Sequence, residues 1–210
     1  YANSPLAGNI VAEWNLIAQN IVQPAPMPGM TMSSVSMSEA FVYLSYVQAA
    51  VYNALVAIEG GYAPYKSALT APPDASRDAA VAAAAFNVLA NYFPTQLADL
   101  TTKYQASLSG VINGASKDAG ILVGQQAAAE IIALRAGDGR AATGTYTIPA
   151  PAPGVWQPTM QLPDGTFAPP IDPWMAVLVP FTLNAPSQFR PADPRDPASP
   201  LNLTSVEYAA

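Results

Sequence analysis

Ser76-Arg77-Asp78-Ala79-Ala80-Val81-Ala82-Ala83-Ala84-Ala85-Phe86-Asn87-Val88-Leu89-Ala90-Asn91-Tyr92-Phe93-Pro94 decides the fold. Alanine is the best helix former, and the run 79–85 is alanine apart from one valine. Ser76, or Asp74 just upstream, supplies an N-cap, with Arg77 and Asp78 in the first turn. Pro94 suits the first position of a following helix, so this one is predicted to run to Phe93. Side chains this small also let neighbouring helices approach closely.

Working outward, the same grammar recurs on both sides. Residues 8–22 place Ile10, Val11, Trp14, Ile17, Ala18 and Ile21 on one helical face, and Pro24, Pro26 and Pro28 end it. Ser36-x-x-Glu39 is a capping box opening a helix over 36–59. Ala40 to Ile58 carries no charge, nearly a bilayer span in length. Tyr43, Ser45, Tyr46, Gln48, Tyr52 and Asn53 make it a poor lipid helix and a good central bundle helix. Gly60-Gly61 stops it. A helix from Pro94 to about Leu108 shows Leu97, Leu100, Tyr104 and Leu108 on one face, and Gly110 and Gly114 break it. Ser116 is expected to cap the next, 117–136, with Arg135 in its last turn and Gly137 just beyond.

After that the chain changes character. Fourteen of the 22 prolines lie between Pro149 and Pro200. A stretch this long without regular structure is usually functional or a linker. Trp156, Phe167, Trp174, Val177, Leu178, Val179, Phe181 and Phe189 argue against a linker, since such side chains are expected to be covered. The predicted organisation is therefore all-α. A helical bundle region spans 1–148, a Pro-rich packing strap 149–203, and the start of a connector helix capped by Thr204 or Ser205 spans 204–210.

Composition excludes several function classes. Of the 210 residues 51% are hydrophobic and 10% charged, well under the ordinary ~25% charged, so much apolar surface is expected to be buried. With net charge −6 and eight scattered Lys and Arg, no basic stripe exists for nucleic acid or anionic lipid. There is no Cys and no His, so no Ser-His-Asp triad, thiolate or imidazole-metal site can be built from this chain. The chain starts at Tyr1, not Met, and carries the acceptor pattern Asn202-Leu203-Thr204. Both fit a processed chain, secreted or periplasmic.

Polar residues mostly have structural readings. Asp138-Gly139 and Asp164-Gly165 read as turn dipeptides. Glu13 reads as solvated or paired, the alternative being a catalytic carboxylate. Tyr43, Tyr46, Tyr52, Tyr62 and Tyr65 read as core tyrosines, the alternative being a pocket lining. Arg190, in Phe189-Arg190-Pro191, reads as a structural ion pair, the alternative being an anion contact.

A set of short motifs in fixed order carries a family resemblance. They are Val11-x-x-Trp14-Asn15, Ala50-Val51-Tyr52-Asn53-Ala54 with Ala57-Ile58-Glu59, Tyr62-x-Pro64-Tyr65, Phe93-Pro94, and Leu134-Arg135-Ala136-x-Asp138-Gly139. Gly154-x-Trp156-x-Pro158-Thr159, Pro180-Phe181, Gln188-Phe189-Arg190-Pro191 and Thr204-Ser205-x-Glu207-Tyr208 follow. In this order the chain resembles the N-terminal half of bacterial and fungal vanadium-dependent haloperoxidase-like proteins of the phosphatidic acid phosphatase type 2 superfamily. Asn53 departs from the Asp common there.

The resemblance implies a helical bundle and a vanadate or phosphate site built from Lys, Arg, Ser-Gly-His and a further His in the second half of such chains. No catalytic, cofactor-binding or metal residue is then expected among these 210. Trp156, Trp174, Phe181, Phe189 and Arg190 would wall a pocket or pack against that half, whether a continuation or a second polypeptide. The implied activity is peroxide-dependent halide oxidation, with halide, peroxide and an organic substrate as partners. An acid phosphatase on the same scaffold is the alternative within the enzyme class. A non-catalytic helical scaffold or binding domain is the alternative outside it.

Overall fold

Five α-helices make up the regular structure of the computed structural model, which describes residues 9–23, 35–140, 142, 146–152 and 155–191. They are α1 (Ile10–Val22), α2 (Met37–Glu59), α3 (Arg77–Tyr92), α4 (Leu97–Ser109) and α5 (Ala115–Arg135). No strand occurs among the described residues, so the predicted all-α class holds. The Pro24–Pro28 stop, Gly154, the end of the strap at 192–203, the Asn202 acceptor and the connector helix at 204–210 lie outside the described residues. The chain divides into two compact units, Tyr1–Ala136 and Gly137–Ala210.

In the first unit α3 is the hub, in contact with each of the other four helices. Every residue from Ala79 to Ala85 is buried, so this helix is covered all round rather than along one stripe. Alanine makes that possible. With almost no side chain in the way, neighbours pack against the α3 backbone itself. Gly120 and Gly124 of α5 show how close they come. A Cβ at Gly120 would lie 2.3 Å from the Ser76 carbonyl oxygen, and one at Gly124 would lie 2.3 Å from that of Ala80. Helices meeting this tightly gain dispersion contacts along their whole length.

Larger side chains fill the flanks. Trp14, Ile21, Leu89, Leu100 and Ile131 are almost fully buried, each contributing about 1.5–3 kcal/mol of apolar transfer where aliphatic. Tyr104 stacks on Phe86 at 4.4 Å and meets Trp14 edge-on at 6.4 Å, and burial raises its phenol above the ordinary value. Met37–Glu59 is long and apolar enough by length and composition to cross a bilayer. One side of α2 is built into the bundle, where Tyr43 and Tyr46 form an aromatic cluster with Tyr92 and Phe93 at 4.9–5.3 Å. The guanidinium of the buried Arg135 stands 5.5 Å from the Tyr46 ring centre.

Two caps follow the sequence: Ser36 and Ser76 each accept a hydrogen bond from the backbone N–H three residues on. Asn9, which was not foreseen, does the same for α1. Ser116 does not cap α5, contrary to expectation. The helix starts two residues earlier, at Ala115 behind Gly114, and the Ser116 hydroxyl donates to the Asp74 carbonyl at 2.6 Å while its own carbonyl accepts from Ser76 N–H. A tertiary tie to the loop before α3 wins over the local cap. Pro94 opens a 3₁₀ turn (Pro94–Gln96) before α4 begins at Leu97, which leaves Leu97 exposed at the helix start instead of on the buried face.

Candidate functional site

The polar residues of the helical unit serve the fold. Asn53 is 1% exposed. Its amide donates to the Tyr65 carbonyl at 3.0 Å and accepts from the Tyr65 N–H at 2.8 Å, pinning the loop after α2 with both functions of one side chain. Tyr52 donates to the Ala63 carbonyl in the same loop. Tyr43 and Tyr46 are core residues, while Tyr62 is 77% exposed, so the five tyrosines do not line one pocket. Glu13 is exposed and accepts from the Ser107 hydroxyl.

The cations are dispersed. Arg77 pairs with Glu59, Lys103 with Asp99, and Lys66 lies 5.7 Å from the Tyr65 ring. Lys117 donates to the carbonyls of Leu108 and Val111 and to Asn113 Oδ1. A tetrahedral oxyanion needs several such donors converging on one point. Arg77, Lys103, Lys66 and Lys117 each answer to a different neighbour and do not form such a set with one another. They also hold no group of three His, Cys, Asp or Glu side chains that could bind a metal ion.

The second unit is organised by turns. Asp138 Oδ1 accepts from the Arg140 N–H, and the Asp138 carbonyl accepts from Val179 N–H at 2.7 Å. Gly139 between them has φ +89°, and a Cβ there would lie 2.5 Å from the Val177 carbonyl oxygen, so only glycine satisfies both demands. Further on, Leu162-Pro163-Asp164-Gly165-Thr166 closes a small hairpin. Gly165 N–H bonds the Leu162 carbonyl, Leu162 N–H bonds the Thr166 carbonyl, and Gly165 takes φ +84°. That is a type I turn followed by a left-handed residue. The Thr166 hydroxyl, and after it the Thr166 N–H, holds the Asp164 carboxyl below the usual carboxylate range. Both Asp-Gly pairs are thus turns, as expected.

Within this unit lies an open, mostly apolar groove of ≈ 370 Å³. Tyr146 and Trp156 meet edge to face at 6.2 Å on one side, and Pro170, Ile171, Asp172 and Pro173 face them. Asp172 sits at φ +51°, uncommon for a non-glycine residue, at the entrance to the 3₁₀ turn Pro173–Val177, and its Oδ1 accepts the Trp174 indole N–H at 3.0 Å. Chemically the groove offers flat apolar walls and one carboxylate. Among the described residues no nucleophile paired with a base lines it.

Of the five side chains expected to wall a pocket or meet a second half, Trp156 lines this groove. Trp174 adjoins it through Asp172. Phe181 is half-buried, and Phe189 and Arg190 are exposed, away from the groove lining. Tyr146, Ile171 and Asp172 were not foreseen. The only signal in the sequence was Ile171-Asp172-Pro173-Trp174, where an Asp before a Pro-Trp pair marks a turn entrance. Within this chain the strap's apolar residues are not closed over. Trp156 is 51% exposed and Val177, Val179, Phe167 and Phe189 are exposed as well. An extended proline-rich segment has no second layer of its own to close over them. No family model, curated protein or solved structure matches the chain.

Proposed function

We propose that this chain is the non-catalytic, N-terminal half of a vanadium-dependent haloperoxidase-like enzyme, serving peroxide-dependent halide oxidation at an anion site supplied from outside these residues. The observation that carries the reading is the way motifs of the resemblance meet. Asn53 of the Ala50–Ala54 motif clamps Tyr65 of the Tyr62-x-Pro64-Tyr65 motif through two hydrogen bonds. Asp138, in the Leu134–Gly139 motif, holds Val179, next to Pro180-Phe181.

The division of labour also makes physical sense. A bundle with so few cations supplies rigidity. Exposed Trp156, Val177 and Phe189 supply apolar area for a second half to cover. The Asn53 departure does not weaken this, because an amide can both donate and accept at Tyr65 where a carboxylate only accepts.

The test is to isolate from its natural source the polypeptide, or assembly, that carries this sequence. It is then assayed for bromination of a phenol dye with peroxide, bromide and orthovanadate, with phosphate-ester hydrolysis in parallel. Vanadate-dependent bromination is expected. Hydrolysis without bromination replaces the reading with an acid phosphatase on the same scaffold. Neither activity overturns the enzyme reading and leaves a helical scaffold or binding domain.

A further inference from the structure

Asn113-Gly114 is the one Asn-Gly pair in the chain. It lies in the turn between α4 and α5, outside either helix. Four observations converge on it. Asn113 and Gly114 are both exposed. The Gly114 N–H donates to no acceptor among the described residues, whereas helical amides are held by their own bonds. A Cβ at Gly114 would meet no atom within 4 Å outside its chain neighbours, so the space beside this turn is open. Finally, the Lys117 ammonium donates to Asn113 Oδ1 at 2.9 Å, drawing electron density away from the side-chain carbonyl carbon.

We propose that Asn113 is a site of spontaneous deamidation in the folded protein, with Lys117 polarising the amide that is attacked. The Gly114 nitrogen, losing its proton to solvent base, forms a bond to Asn113 Cγ. The Cγ–Nδ2 bond breaks, and Nδ2 leaves as ammonia after taking up a proton. The product is a five-membered cyclic imide. Water then opens that ring at either carbonyl, giving aspartate or isoaspartate at position 113. No oxidant or reductant enters the step.

The fold does not oppose the products. α5 has no side-chain N-cap, so a carboxylate at 113 sits beside unpaired N-terminal amides that favour an anion. It also gains an ion pair with Lys117. Each event makes the chain one charge more negative than its −6. The isoaspartate form adds a carbon to the backbone joining α4 to α5.

The experiment incubates the folded chain at physiological temperature and mildly alkaline pH, resolves charge variants by ion exchange, and maps peptides by mass spectrometry. A free peptide spanning residues 111–115 runs beside it. The expected result is conversion concentrated at residue 113, yielding both aspartate and isoaspartate peptides, with Asn113→Gln abolishing the acidic variant. Slower conversion in Lys117→Met supports the polarising role, and an unchanged rate in a folded Lys117→Met removes Lys117 from the proposal. If that variant does not fold, the comparison with the free peptide still decides. An Asn113 that stays intact in the folded chain while the peptide converts overturns the proposal.

Discussion

Residues 79–85 and residues 171–189 are both rich in apolar side chains, and they end in opposite states. Every side chain from Ala79 to Ala85 is buried. In the strap, Ile171 is 81% exposed and Phe189 77%. Size does not explain this, since the larger apolar groups are the exposed ones. The difference is what the backbone does. α3 satisfies its own N–H and C=O groups, so other helices can lie directly against it. The strap's prolines remove donors and prevent a ladder, so its backbone is held by isolated turns and its side chains have no partner layer. Apolar content drives burial only where the backbone can be buried too.

Ways to break that comparison run from large effects to small. Gly124→Ala strikes where α5 touches the α3 backbone. Its Cβ would sit 2.3 Å from the Ala80 carbonyl oxygen and 2.7 Å from Ala83 Cβ. A loss of about 3 kcal/mol in urea denaturation is expected. An unchanged midpoint would mean that α3 and α5 part without cost. Asn53→Asp keeps the shape and removes the donor to the Tyr65 carbonyl, setting a carboxylate oxygen against that carbonyl in a buried place. It should cost about 2 kcal/mol, read as a drop in Tm. Ser76→Ala removes only the α3 cap bond and should cost about 1 kcal/mol by the same measurement.

The smallest effect belongs to the strap and depends on pH. Thr166 lowers the Asp164 pKa in the fold, so the contribution of Asp164 is fully present above its unfolded value. It is lost as pH falls through the lower folded value. Acidification below the usual carboxylate range should therefore loosen the hairpin, seen by NMR as a lower protection factor of the Thr166 amide relative to its intrinsic exchange rate, and leave α3 unaffected. Thr166→Val should abolish the hydroxyl part of that dependence.

Sequence reading succeeded where one local rule acts unopposed. Ser36 and Ser76 cap as their patterns say, and the Asp-Gly pairs turn where they stand. It failed where a distant group competes. Ser116 gives its hydroxyl to Asp74, forty-two residues away, and the helix starts without it. The role of α3 as the hub was only half legible. Propensity announced a helix and small side chains announced close packing, but α2, longer and without charge from Ala40 to Ile58, looked the better centre. In the candidate groove Trp156 was legible as an aromatic in a proline-rich stretch. Tyr146 and Asp172 were not, because no period in sequence brings 146, 156 and 172 together.

Amide hydrogen exchange on the chain alone tests the central contrast most directly. Slow exchange is predicted across 77–92 and 115–135, approaching the limit set by global unfolding. Across 146–191 fast exchange is predicted, broken only at hydrogen-bonded amides such as Leu162, Ala168 and Val179. A strap protected to the same degree as α3 would contradict the account, because it would show that 171–189 is already covered and has no surface left for a second half.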